Sequence, residues 1–269
     1  MLFTIITINY NNKKGLEKTL QSVRSQSFKD FEFVVIDGGS NDGSRGVIER
    51  SRVVDEYISE PDSGIANAFN KGLALSSGDY VCFLNSGDIF SSSSVLEDVA
   101  EKLGAGRSVW AYGYRQRADA QGNILPPRKS EMENYGRERY ITGRLCISHQ
   151  ASFFCGSIAR DIKFNEEYQW LCMDVDFMFA FAAIDDPLMV GKVLVTYDET
   201  GISSNNVLSS LLVKWRIARR RARLLGISHV SIHVSYIKLF VRTFCVLSLK
   251  KLMGYLGMIR IYKLMASIR

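Results

Sequence analysis

Carboxylates set beside glycines at the ends of apolar runs are the residues of this chain best suited to chemistry. The clearest case is Gly78-Asp79-Tyr80-Val81-Cys82-Phe83-Leu84-Asn85-Ser86-Gly87-Asp88. Residues 80–84 are apolar, rich in aromatic and β-branched side chains, and bounded by Ser, Gly and Asp, which predicts a buried strand ending in a polar turn. Open α/β sheets collect ligands at the carboxyl ends of their strands. Asp88 thus stands where a carboxylate can hold a hard cation against a phosphate-bearing substrate. The alternative is that Ser-Gly-Asp is turn chemistry alone. A second such turn, Asp37-Gly38-Gly39-Ser40-Asn41-Asp42-Gly43-Ser44, follows the apolar run 31–36. Its glycines, Gly39 among them, permit positive φ and close approach of the backbone to a ligand. Asp37 is placed to accept hydrogen bonds from a base edge or ribose hydroxyls. The blander account is a tight turn with a helix N-cap at Ser44. Neither a GxGxxG nor a Walker pattern follows the first strand, which disfavours dinucleotide binding and ATP hydrolysis.

The elements that must position these turns alternate. Strands are predicted over 2–8, 31–36, 55–59 and 80–84, and helices over 14–25, 46–52 and 65–76. That rhythm implies right-handed crossovers, a doubly wound α/β fold with a mostly parallel sheet and helices on both faces, and polar turns on one sheet edge. Further on come a helix over 95–103, a strand over 109–114, a strand over 148–154, a helix over 170–183 and a strand over 190–196. Residues 115–145, with Pro126-Pro127, lose the pattern and suggest a substrate-facing lid. The opening strand lacks the basic region and cleavage site of a signal peptide.

Charge divides the chain in two. Residues 1–200 hold 28 acids and 21 bases, about −7 net, whereas residues 201–269 hold 13 bases and no acid. An acidic domain over 1–203 is expected to carry a basic helical extension over 204–269, with helical patterns at 206–225 and 232–261. No 18-residue stretch there is free of charge, so a spanning helix is not expected. A pair of interfacial helices, apolar on one side and basic on the other, fits better, ahead of helices packed on the core with a solvated basic face. Five cysteines without a CxxC pair suggest reduced thiols in a cytosolic protein.

Five stretches, taken together and in order, resemble the inverting family 2 glycosyltransferases of GT-A fold. They are Ile6-Thr7-Ile8-Asn9-Tyr10-Asn11, Val35 to Ser44, Ser59-Glu60-Pro61-Asp62-Ser63-Gly64 with the helix to Gly72, Phe83 to Asp88, and Ser148-His149-Gln150-Ala151-Ser152-Phe153-Phe154. The resemblance covers residues 1 to about 225 and is strongest to bacterial exopolysaccharide enzymes of the colanic acid type. It implies transfer of a sugar from a nucleotide diphosphate donor, with uridine expected, to a lipid-linked or growing glycan acceptor at the inner face of the cytoplasmic membrane. It places Thr7, Asn9, Asp37, Gly39, Asp62, Gly64, Lys71, Asn85 and Ser86 on the donor side. Asn85-Ser86-Gly87-Asp88 occupies the DxD position with Asn for the first carboxylate, so Mg²⁺ or Mn²⁺ would rest mainly on Asp88. Met173-Asp174-Val175-Asp176-Phe177 matches the stretch that carries the catalytic base, which implies that role for Asp174.

Asp174 and Asp176 lie two apart on a predicted helix and cannot reach one site, so Asp176 is expected in a cap or ion pair. A lone His is more often structural than catalytic, but the family's His-Gln pair implies an acceptor or diphosphate contact for His149 and Gln150. Arg216, in the cluster Arg216–Arg223, is a candidate for a lipid diphosphate, or else part of a solvated face. Gly201-Ile202-Ser203 matches a family turn. A nucleotidyltransferase would need a basic Gly-rich loop where Asn9-Tyr10-Asn11-Asn12 stands. A non-catalytic nucleotide-sugar binder stays open because of Asn85, and a nucleic-acid binder is disfavoured.

Overall fold

In each strand successive side chains point to opposite faces, and here both faces are apolar. Phe3 and Ile5, Phe33 and Val35, Cys82 and Leu84 enter one core; Ile6, Val34, Ile36, Val81 and Phe83 enter the other. A sheet so patterned must be covered by helices on both sides. The computed structural model describes residues 1–104, 108–118, 123–125, 134–168, 171–198 and 207–267. Its first half runs β1 (Phe3–Asn9), α1 (Lys13–Arg24), β2 (Phe31–Asp37), α2 (Ser44–Arg50), β3 (Glu56–Ser59), α3 (Ile65–Leu75) and β4 (Tyr80–Phe83). Then follow β5 (Ile89–Phe90), α4 (Val95–Gly104), β6 (Trp110–Ala118), β7 (Ile124–Leu125), α5 (Arg137–Ile141), β8 (Ser152–Cys155), α6 (Gly156–Ile162), α7 (Met173–Ile184), β9 (Leu188–Asp198), α8 (Val207–Arg221) and α9 (His229–Ser267).

The strand order is β3-β2-β1-β4-β8-β6-β9-β5, with β7 paired to β6. The first four strands are parallel, as the strand–helix rhythm predicts. The distal half is mixed: β8 is antiparallel to both β4 and β6, β9 is parallel to β6, and β5 is antiparallel to β9. Antiparallel partners need no helical crossover, so the sequence rhythm that reveals the first half is silent about the second. Residues 148–151 are also not strand: His149–Ala151 form a 3₁₀ turn before β8. Gly43, with positive φ, occupies the N-cap of α2, and Ser44 is its first residue.

On one face α1, α2 and α4 bury Leu16, Leu20, Val23, Ile48, Val95, Leu96 and Val99. On the other, α3 and α7 close over an aromatic stack in which Phe164 lies 4.2 Å from Phe177 and 4.8 Å from Phe69. Full burial of each such side chain contributes about 1.5–3 kcal/mol. Gly72 lets α3 sit directly on β1: a Cβ there would collide with Ile6.

The basic extension is not detached from this core. Ile217, Ala218, Ala222 and Leu225 near α8, and Ile232 and Tyr236 of α9, belong to the same buried cluster. The boundary expected at 203/204, and the Gly201-Ile202-Ser203 turn, lie outside the described residues. Beyond its packed first turns α9 exposes Val234, Ile237, Val241 and Phe244. Its segment His229–Leu249, with mean hydropathy 1.5, is long and apolar enough to cross a membrane, because only Lys238 and Arg242 interrupt it. The expectation that charge rules out a spanning length is corrected on this point.

Candidate active site

Register brings the site together. Asn9 pairs with Asp37 across β1–β2, and Asp37 with Ser59 across β2–β3, so three polar residues form one row at the carboxyl ends of the parallel strands. Asp37 is fully buried. Asn9 Nδ2 (2.8 Å) and Ser40 Oγ (2.6 Å) donate to its Oδ1, and Ser40 N (3.0 Å) and Ser59 Oγ (2.8 Å) to its Oδ2. Burial opposes ionisation, but these bonds outweigh it and hold the carboxyl below its ordinary range. Four donors satisfy a carboxylate. Asp37 therefore builds the turn from within. Gly39, exposed at φ +77°, stands at the tip of that turn, where a side chain would strain the backbone and press on Pro61.

The Thr7 hydroxyl donates to Leu84 O (2.6 Å) and fastens β1 to β4. Asp62 meets Lys71 of α3 at 2.7 Å, and Lys71 also reaches Glu60 (2.8 Å) and Pro61 O (3.1 Å). All three ammonium donors are engaged. Asp62 Oδ2 lies beside Gly38, so this ion pair braces the Asp37 turn. Gly64, buried and at φ 148°, precedes α3.

The turn after β4 is clamped onto α1. Asn12 Nδ2 donates to Ser86 O (3.0 Å) and Ser86 Oγ to Asn12 O (3.2 Å); Thr19 Oγ donates to Asp88 O (2.7 Å) and accepts from Gly87 N (3.0 Å). Asn12 and Thr19 are positioning residues that motif reading missed; their signal was only a polar position at the start and on the inner face of α1. Among the described residues Asn85 Oδ1 is buried without a hydrogen-bond partner, and Asp88 is buried five residues after the strand. Among the described residues no three His, Cys, Asp or Glu side chains gather as a metal cluster. By donor type alone, an amide oxygen and a carboxylate suit Mg²⁺, which is commonly bound through one or two carboxylates together with substrate phosphates and water. The residues thus fit a substrate-completed cation site.

Asp174 begins α7, and its Oδ2 lies 3.2 Å from His149 Nδ1. Burial works against the charged form, yet the hydrogen bond and charge of His149, with Lys214 of α8 beyond, bring the carboxyl down to about 2. Asp176 faces elsewhere, as its spacing requires: Arg221 donates to it twice, at 2.6 and 2.8 Å. Gln150 is buried and accepts from Ser148 Oγ. The 3₁₀ turn that carries His149 is edged by Phe69 of α3, with ring centroids 5.9 Å apart. Arg216 is exposed on α8 and makes no ion pair among the described residues. Lys214 and Arg221, not Arg216, are the α8 cations turned toward α7.

The sequence profile of glycosyl transferase family 2 matches residues 4–162, which spans β1 through α6. The chain belongs to glycosyltransferase family 2. An uncharacterized Mycobacterium tuberculosis glycosyltransferase is 31% identical over 77% of this chain and 79% of its own length. The amylovoran biosynthesis glycosyltransferase AmsB of Erwinia amylovora is 26% identical over 69% of this chain and 68% of its own. The fold is GT-A: Staphylococcus aureus TarS 1–349, crystallised with UDP, superposes with a TM-score of 0.69 at 19% identity, over 90% of this chain and 71% of TarS. In this family 2 glycosyltransferase the profile covers the Asp37 turn, the turn after β4 and His149, and stops before Asp174.

Proposed function

We propose that this family 2 enzyme is an inverting, metal-assisted glycosyltransferase. It takes a sugar from a nucleoside diphosphate sugar of the uridine type and passes it to a lipid-linked or growing glycan in surface polysaccharide synthesis of the exopolysaccharide kind. The observation that carries the proposal is the pairing of polar strand ends (Asn9, Asp37, Ser59 and Asn85 to Asp88) with a separate aspartate held ionised on α7. Support for the donor class comes from TarS having been crystallised with UDP, and for the setting from AmsB being named for amylovoran biosynthesis.

The Asp37 and β4 turns shape a donor pocket at the sheet edge. Asp174, ionised throughout the working range, takes the proton of the acceptor hydroxyl as that oxygen attacks the anomeric carbon opposite the diphosphate. A placed base of this kind is worth about 10²–10⁴-fold. Asp88 and Asn85 would hold the cation, which neutralises charge on the departing diphosphate when bound. Lys214 adds positive charge on the Asp174 side. The proposed location is the inner, anionic face of the cytoplasmic membrane, a reading supported by the exposed apolar stripe of α9 and by a segment free of acids beyond residue 200.

The test is a panel of UDP- and GDP-sugars read first by thermal stabilisation and then by transfer, with the anomeric configuration of the product read by NMR. Stabilisation by one donor and an inverted product are expected. A retained configuration, or binding by none of the panel, refutes the proposal.

A further inference from the structure

His149 is one of only three histidines in the chain, and its surroundings assign it a task other than touching substrate. The side chain is 9% exposed. Nδ1 faces Asp174 Oδ2 at 3.2 Å. Nε2 is buried and among the described residues has no hydrogen-bond partner, with Phe69 edge-on to the ring. The peptide that carries the ring is fixed on both sides: Ala151 N donates to Ser148 O (3.1 Å), Ser152 Oγ donates to the same oxygen (2.8 Å), and Ser148 Oγ donates to Gln150.

These contacts select the proton's place. A proton on Nε2 alone would leave a buried N–H unpaired and set the bare Nδ1 lone pair against a carboxylate oxygen, so both ends of the ring would be unfavourable. Every other form, neutral or cationic, carries hydrogen on Nδ1 and donates it to Asp174. We infer that His149 is a positioning residue: its Nδ1–H fixes the Asp174 carboxylate by Oδ2 and leaves Oδ1 as the oxygen that meets the acceptor hydroxyl. His149 engages the carboxylate through Oδ2 and not Oδ1, so Oδ1 is the oxygen that the ring leaves to an acceptor. Asp174 keeps 29% of its side-chain surface exposed, against 9% for His149; of the two it is the one that can meet an acceptor. The inference rests on the proposal that Asp174 is the base, and it replaces a direct acceptor or diphosphate contact by His149 with an indirect role.

Misplacing a reacting group by about 1 Å can cost ~10²-fold, so loss of the anchor should act on turnover. Two variants separate positioning from bulk. His149→Asn sets an amide N–H near the place of Nδ1; His149→Leu keeps volume and removes the donor. With UDP-N-acetylglucosamine or GDP-mannose, whichever turns over, His149→Leu is expected to lower kcat about 30- to 100-fold with donor KM unchanged, and His149→Asn to recover most of it. Equal loss in both variants, or a raised KM with normal kcat, overturns the inference. An arm independent of donor uses ¹⁵N NMR of the full chain without ligand. The His149 ring signals, identified as those lost in His149→Asn, should show hydrogen on Nδ1 and shift in Asp174→Asn. Hydrogen on Nε2 alone overturns it. Normal transfer by Asp174→Asn would instead sink the base assignment, and no turnover with any nucleotide sugar the glycosyltransferase proposal, each while the NMR result stands.

Discussion

Breaking the Asp176–Arg221 pair should reveal an asymmetry that the structure dictates. The two nitrogens of Arg221 that reach Asp176 do so at 2.6 and 2.8 Å, and the side chains are 21% and 8% exposed respectively. Removing one partner of a buried pair costs about 3–5 kcal/mol, because the other is left charged without compensation. Arg221→Met strands Asp176, which is fixed on α7 among buried neighbours; partial solvent access through the crevice lined by Lys163, Asn165 and Arg220 brings the cost to the low end, ~3 kcal/mol. Asp176→Asn strands Arg221 instead. That side chain already touches water and can swing outward, so about 1–2 kcal/mol is expected. Urea midpoints at constant m would measure both, and a 3 kcal/mol loss should lower Tm by roughly 6 °C or more at this chain length. The double variant should cost less than the two losses added, with a coupling above ~1 kcal/mol. Equal costs, a reversed order, or coupling below ~0.5 kcal/mol would refute the claim that α8 is held to the Asp174 helix by this pair.

Three further outcomes follow from the same geometry. Asp88→Ala and Asp174→Ala should each abolish transfer, and calorimetric titration of UDP with Mn²⁺ should show weakened binding for the first only. Glu32 accepts from Thr4 Oγ, Ser77 N and Oγ, and Gly78 N, and these bonds depress its carboxyl against the opposing effect of burial. Glu32→Gln turns an N–H₂ toward those donors and should cost about 2–3 kcal/mol in denaturant unfolding. Because the folded values of Glu32 and Asp174 lie below their unfolded ones, their stabilisation is complete above the unfolded carboxyl range. It disappears as pH falls, for Asp174 between roughly pH 4 and pH 2; Asp174→Asn should flatten that part of the stability curve.

The parallel half of the sheet was legible because each strand is a run bounded by Gly, Ser and Asp and followed by a helical repeat. β6, β8 and β9 were located to within a few residues, yet their pairing was not, since antiparallel neighbours leave no crossover signature between them. The expectation that Asp174 and Asp176 face apart was legible from helix geometry, and the structure sends one to His149 and the other to Arg221. The burial of Asp37 was not legible. A strand-end aspartate followed by Gly-Gly-Ser does not disclose that its own surroundings supply donors to it, and only the register that lines up Asn9, Asp37 and Ser59 brings two of them to it. The span-length segment of α9 was hidden by Lys238 and Arg242, because a rule based on uninterrupted apolar runs counts any charge, although two cations on 21 helical residues are tolerated.

The polar groups of the sheet edge sort by satisfaction, and the sorting bears on where ligands act. Asp37 and Lys71 each have their hydrogen-bonding capacity filled by protein groups, so they hold the turns in shape before any ligand arrives. Among the described residues, the buried side-chain atoms left without a partner at the ends of β1 and β4 are acceptors: Asn9 Oδ1 and Asn85 Oδ1. A buried acceptor without a donor costs free energy that folding alone does not repay. Both stand at strand ends of the kind where α/β sheets take ligands. A cation, or a ligand N–H or O–H, would satisfy them, whereas a second anion would not. This is why Asn at position 85 does not by itself signal a decayed metal site: an amide oxygen ligates a hard cation without adding charge, and the diphosphate can supply the rest.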